Sequence, residues 1–329
     1  YWMHHTLLID RSDRGRFELS GANAVATLNG LVTNDVAALK PGQGQYAAAL
    51  TAKGKIVADM VVLMLDDRLQ LHSSPIAAPG LGAMLAKFVN PRFAALKDAT
   101  AATADLTLTG PAAAAILCTA SGGSPTEEDL AALPTFWHVA GAIDTAPVTI
   151  VRLPSIGGDN SSVYSVILSR DDVDRVSTRL RAAGAVDGTE AMMETLRVES
   201  GYPAWGIDMD ENTLPQEANL DEMHAVSYTK GCYIGQETVA RIHFRGHVNR
   251  SLRRLAFSDG IQPPRGAVLQ DSEHRGIGEV RSTACSEREG AIGIGMVRRE
   301  IDDGSTIDVH WDGGGTSAVV TGKAKGAIN

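Results

Sequence analysis

The chain reads as an α+β protein that ends in a small antiparallel β-barrel. Two observations predict the α+β part: the N-terminal apolar runs alternate with period two, and most are joined by short turns. Hairpin connections of that kind favour an α+β unit over a doubly wound parallel sheet. A third observation predicts the barrel. After Arg250 the texture changes to short strand-like runs separated by Gly, Pro and Asp, with no long helical pattern.

The elements follow in order. Residues 16–19 alternate and end at Ser20-Gly21, predicting a strand and a turn. Residues 23–31 carry apolar side chains at helical spacing. Strands are expected over 45–50 and 56–65, joined by 51–55, and again over 69–72 after the turn Asp66-Asp67-Arg68. A helix is expected over 75–89, interrupted at Pro79-Gly80. A strand over 103–108 precedes an Ala-rich helix over 111–119, with Pro111 at its first position. Exposed loops are expected over 121–125 and 155–162, with strands over 148–153 and 163–168. The helix over 171–183 has acidic residues in its first turn and Gly184 just past its end, matching the helix dipole and the usual C-terminal stop. Barrel strands are expected over 252–257, 278–282, 306–310 and 317–320. A boundary near 246 divides the chain into a body, 1–245, of one unit or two subdomains, and a barrel, 246–329.

The 329 residues are 44% hydrophobic and 21% charged, an ordinary globular composition able to bury a large core. A net charge of −9 argues against general nucleic-acid binding. Cys118, Cys232 and Cys285 are an odd, widely spaced set, which makes no disulfide framework and suits a reducing compartment. Apolar runs such as 60–65 fall far short of the ~20 residues that cross a bilayer. The start, Tyr1-Trp2-Met3-His4-His5, lacks the basic-then-apolar pattern of a signal peptide. A cytoplasmic protein without membrane partners is the expectation.

Gly276-Ile277-Gly278 and Gly293-Ile294-Gly295 lead into strand-like residues, not into a helix N-terminus that could hold phosphate. Cys232, His243 and His247 do not make a structural zinc set, which needs four ligands, so no metal is expected. Arg241, Arg245, Arg250, Arg253 and Arg254 form a basic stretch that reads equally as a solvated surface or as an anion site. Only Phe244 interleaves them as a base-stacking platform, which disfavours RNA.

The richest segment is Lys230-Gly231-Cys232-Tyr233-Ile234-Gly235-Gln236-Glu237. Two glycines bracket a tight loop holding a thiol and a phenol, with a cation beside it, and Gln236-Glu237 opens a helix running to Arg241. A cysteine beside a lysine and near a helix N-terminus is placed where thiolate character is enhanced. The alternative is a tight turn packing a small side chain.

This segment resembles, without a gap, the KGC(F/Y)xGQE signature of the YgfZ-type folate-binding proteins of the glycine-cleavage T-protein superfamily. Leu196-Arg197-Val198-Glu199-Ser200-Gly201, Gly206-Ile207-Asp208 and Thr213-Leu214-Pro215-Gln216-Glu217 resemble the LRxExG…GxD…PxE stretch of the same superfamily. Leu31-Val32-Thr33-Asn34-Asp35-Val36 and the run from Gly44 to Ile56 are similar to it as well. The resemblance implies an α+β folate-binding body and a C-terminal barrel arranged around a central cavity, with tetrahydrofolate as cofactor. By position it implies that Glu199 accepts hydrogen bonds from the pterin. Tyr46 and Asp59 would line the cavity, Lys230, Tyr233 and Arg241 would assist binding, with the two cations taking anionic groups, and Cys232 would be an exposed nucleophile or transient sulfur ligand.

Its implied partners are iron–sulfur client or assembly proteins. One departure stands out: T-proteins carry paired aspartates where this chain has Ala58-Asp59. If the missing acid is the essential one, aminomethyl transfer is lost. The implied role is therefore an accessory factor for iron–sulfur proteins, with a tetrahydrofolate-dependent aminomethyltransferase or demethylase using Asp59 as the alternative.

Overall fold

A computed structural model describes residues 4–156 and 161–326. The middle of the loop expected over 155–162 and the first three residues lie outside the described residues.

The chain opens with β1 (Leu7–Asp10), β2 (Gly15–Ser20), α1 (Ala24–Asn29), β3 (Gly44–Leu50), β4 (Ile56–Met64), β5 (Arg68–Ser73), α2 (Ala78–Phe88) and β6 (Ala95–Asp98). It continues with β7 (Thr103–Gly110), α3 (Ala113–Ala120), α4 (Glu127–Ala132), β8 (His138–Ile143), β9 (Ala146–Leu153), β10 (Ser162–Ser169), α5 (Val173–Ala182), β11 (Val186–Asp187) and α6 (Glu190–Ser200). Then come α7 (Gln236–Arg245), β12 (Arg250–Phe257), β13 (Val268–Gln270), β14 (Gly276–Ser286), β15 (Gly290–Arg298), β16 (Thr306–Trp311) and β17 (Gly314–Lys323).

Three layers of strands result. One antiparallel sheet runs β3-β4-β5-β2-β6, and a second runs β11-β1-β7-β10-β9-β8. β12-β15-β14-β13-β16-β17 close into a barrel. The α+β class and the terminal barrel are as the sequence predicts. Period-two alternation fixes the faces. On β3, Ala47 and Ala49 enter the core beneath α1 and α2, while Tyr46, Ala48 and Leu50 face the opposite way, toward α6 and the barrel. Leu63, Val151 and Ile167 join the two sheets of the body.

Pro79 does not interrupt its helix. It sits in the first turn of α2, where its missing N–H would have had no partner in any case. The sequence reading missed α6, and it missed β1, β6, β8, β11 and α4. The strands and α4 are short, and edge strands such as β6 have one exposed face and little apolar pattern to announce them.

Between α6 and α7, residues 201–235 form neither helix nor strand, yet much of the stretch is buried. Polar side chains hold it. Asp208 accepts from Arg197 Nη1 at 2.6 Å, Ser282 Oγ at 2.5 Å and the Ala204 N–H at 2.9 Å. Glu217 accepts from the Leu214 N–H at 2.8 Å and from Arg250 Nε at 2.9 Å. The acids of the GxD…PxE stretch thus tie an irregular segment to the barrel, satisfying backbone groups that no ladder satisfies.

Candidate functional site

A cavity of about 680 Å³ lies where the two sheets, α6 and the irregular segment meet. β3 and β4 supply Tyr46, Asp59 and Val61, and the loop between β1 and β2 supplies Arg11, Asp13 and Arg14. One face of α6 supplies Glu190, Met193, Glu194 and Arg197, and the irregular segment supplies Tyr202 and Trp205. Phe136 completes the aromatic wall, its ring 6.1 Å from that of Tyr46 and nearly parallel. Phe136 holds φ at +67°, pinned by its N–H on the Arg152 carbonyl at 2.7 Å. A left-handed conformation costs a bulky residue roughly 1–3 kcal/mol and is most often kept at functional sites.

The cavity's central pair is Tyr46 and Asp59. Ala48 stands opposite Asp59 across the ladder, and Tyr46 opposite Val61, so the phenol reaches Asp59 diagonally past a methyl group. Tyr46 Oη donates to Asp59 Oδ2 at 2.7 Å. Asp59 Oδ1 is buried with no partner. Burial holds the Asp59 carboxyl above the usual range, against the opposing pull of the Tyr46 hydrogen bond, Arg14 and Arg197. Burial and then the neighbouring Asp59 raise the Tyr46 phenol well above its ordinary value.

The alternation on β4 also decides what the Ala58 departure means. Ala58 is fully buried in the core under α2, on the face away from the cavity, while Asp59 lines the cavity. The acid lacking from the pair would have pointed into apolar packing. The carboxyl that remains is the one in the cavity.

The structure brings Tyr46 and Asp59 together but leaves the other expected residues elsewhere. Glu199 lies off the cavity. It accepts from Ser286 Oγ and, at 3.1 Å, from Arg288 Nε, and so fastens α6 to the β14–β15 hairpin. The helical period explains this, since Glu190, Glu194 and Arg197 share one stripe of α6 and Glu199 falls outside it.

Lys230 does not face the cavity either. Its Nζ donates to the carbonyls of Asn29, Val32 and Asn34 at 2.6, 2.9 and 2.6 Å. Burial draws its ammonium down to about 8, still protonated at neutral pH, so three N–H donors meet three carbonyls at the end of α1. Tyr233 is buried beneath it, with the ammonium 5.2 Å from the ring centroid. Arg241 is exposed on α7. Of the basic stretch, Arg250, Arg253 and Arg254 are paired with Glu217, Asp303 and Glu289.

Cys232 is exposed and is not among the cavity-lining side chains. Its turn is seated on the β3–β4 hairpin. Gly235 holds φ at +85°, and a Cβ there would lie 2.6 Å from the Thr51 carbonyl oxygen. Among the described residues no cluster of His, Cys, Asp and Glu could hold a metal ion. No helix among them is long and apolar enough to cross a membrane.

Two sheets that share an acid-bearing cavity with α6 and the irregular segment, followed by a terminal barrel, define a GcvT-type protein. The GCVT N-terminal domain family matches residues 2–229, and the chain belongs to that family. The fold agrees: the glycine cleavage system aminomethyltransferase T from Bartonella henselae superposes with a TM-score of 0.82 at 23% identity, covering 100% of this chain and 88% of that one.

Within the superfamily the chain is a YgfZ-type member. The iron–sulfur cluster assembly factor IBA57 homolog, mitochondrial, of Mycosarcoma maydis is 31% identical over 267 residues, 78% of this chain. The chain spans 58% of the length of that relative. The tRNA-modifying protein YgfZ of Sodalis glossinidius is 28% identical over 323 residues, 95% of this chain and 91% of that one. An aminomethyltransferase of Rippkaea orientalis is 26% identical over 324 residues, 96% of this chain and 85% of that one.

Proposed function

We propose that this protein is a tetrahydrofolate-binding accessory factor that supports assembly or repair of iron–sulfur proteins. The carrying observation is that two residues lining the cavity each hold a buried polar atom without a partner, within aromatic walls. Asp59 Oδ1 and Trp205 Nε1 are buried without partners, among Tyr46, Phe136 and Tyr202. Buried polar groups of this kind call for a ligand with both donors and acceptors. A reduced pterin offers N–H donors to Asp59, acceptors to Trp205, and a flat ring for the aromatic faces. Tetrahydrofolate when bound would supply one-carbon carrying chemistry, and Asp59 with Tyr46 would orient its polar edge.

The iron–sulfur half rests on the signature turn and on the name of the IBA57 relative. Cys232 would act there as an exposed thiol outside the cavity, so folate binding and thiol chemistry are separable. Calorimetric titration with tetrahydrofolate, alongside Cys232→Ser complementation of a deletion strain, tests both halves. The expected result is normal binding by the variant and failure to restore activity of cluster-dependent enzymes. Absence of heat with the wild-type protein would overturn the folate half, and full complementation would overturn the role of Cys232.

One observation favours a second reading, tetrahydrofolate-dependent one-carbon transfer. The cavity keeps its acid at Asp59. Turnover of a methylated amine, abolished by Asp59→Asn, would select that reading.

A further inference from the structure

We infer that Arg14 is the anion-recognising residue of the cavity, holding a carboxylate on the acidic tail of the bound ligand. This rests on the folate reading above and names the subsite for the negative end of the molecule.

The cavity's three arginines differ in what they already hold. Arg11 makes a two-pronged pair with Glu190, at 3.1 and 2.8 Å. Arg197 is committed to Glu194, Asp208, Ser282 and the Tyr202 carbonyl. Among the described residues, the Arg14 guanidinium has no hydrogen bond and no ion pair. Asp105, Asp59 and Glu190 act on it only through space, without a hydrogen bond, and Arg11 opposes them. Burial is the largest influence and pulls it down to about 10. Arg14 is half-buried, and its unpaired guanidinium in the cavity wall is placed to take an arriving carboxylate through paired N–H···O contacts.

The backbone of Arg14 is held in place on the cavity wall. Its N–H donates to the Arg11 carbonyl at 3.1 Å, and its own carbonyl accepts from Arg16 Nη1 at 2.8 Å. Arg16 is fully buried and anchors this loop through Thr103 and the carbonyls of Ser12 and Thr100. The expected anion residues are engaged or outside: Lys230 is enclosed by carbonyls, and Arg241 is not part of the lining.

The test compares tetrahydrofolate with its tail diamide, in which both glutamate carboxylates are neutral, by calorimetry on the full chain. Wild type should bind tetrahydrofolate about 10-fold or more tighter than the diamide. Arg14→Met should bind both alike, at the diamide's affinity, and Arg14→Lys should recover part of the preference. Equal binding of the two ligands by wild type, or an undiminished preference in Arg14→Met, would overturn this assignment while leaving the folate reading standing. If wild type binds neither ligand, the folate reading itself falls and the assignment falls with it.

Discussion

Tyr46 donates to one oxygen of Asp59 and leaves the other buried with no partner. This diagonal contact across two adjacent strands makes an acid half-satisfied by the protein. Asp59→Asn should weaken tetrahydrofolate binding roughly 10-fold or more, because a hydrogen bond to a charged or proton-sharing acceptor is worth about 1.5–3 kcal/mol.

The same residue should register in stability. Asp59 holds its proton to higher pH in the folded state than at its ordinary 3.8. Its favourable state is therefore complete below that value and is lost as pH rises through the raised one. Relative to wild type, Asp59→Asn should gain thermal stability steadily from pH 4 toward neutrality. Melting temperatures across that range check the sign, and a gap that shrinks with pH would contradict it.

His72 should show the opposite dependence. It is buried, with Nε2 2.9 Å from Gln70 Oε1, and burial followed by Arg16 and Arg14 lowers it from 6.5 to about 3. Its contribution is intact above 6.5 and is lost as pH falls toward about 3, at about 1.4 kcal/mol per unit. His72→Gln should flatten that part of the acid-unfolding curve, measured by denaturant titration at several pH values.

Glu199 tests whether the motif acid binds ligand or holds the barrel. Glu199→Ala should cost about 2–3 kcal/mol by removing the carboxylate to which Ser286 Oγ and Arg288 Nε donate. Glu199→Gln should recover much of this, and tetrahydrofolate affinity should be unchanged in the folded variant. A selective loss of ligand binding at unchanged stability would return Glu199 to the site.

Lys230→Met should destabilise the protein by about 2–4 kcal/mol, since three carbonyls at the end of α1 would lose their donor. Chemical denaturation measures the loss. A neutral result would mean that water replaces the ammonium.

Much of the architecture was legible in the sequence because it depends on local periodicity. The alternation of β3 and β4, the helical run that became α1 and the glycine-punctuated strands after Arg250 each announce their own geometry. The signature around Cys232 likewise pointed to the superfamily by resemblance, and its Gly235, at φ +85°, answers to a turn that few other residues can adopt. Which charged residues meet was a different matter. Lys230 and Arg241 look equally available in the sequence, yet one is spent on carbonyls some 200 positions away and the other points outward. Arg14 carries no local mark of its role. It becomes an isolated cation in a cavity only when β1, β4 and α6, far apart in the chain, are packed together. The sequence by itself determined most of the elements, the family and the exposed thiol's turn. The tertiary structure decided the site, because burial and charge pairing are properties of neighbours in space, and period and spacing report only neighbours in sequence.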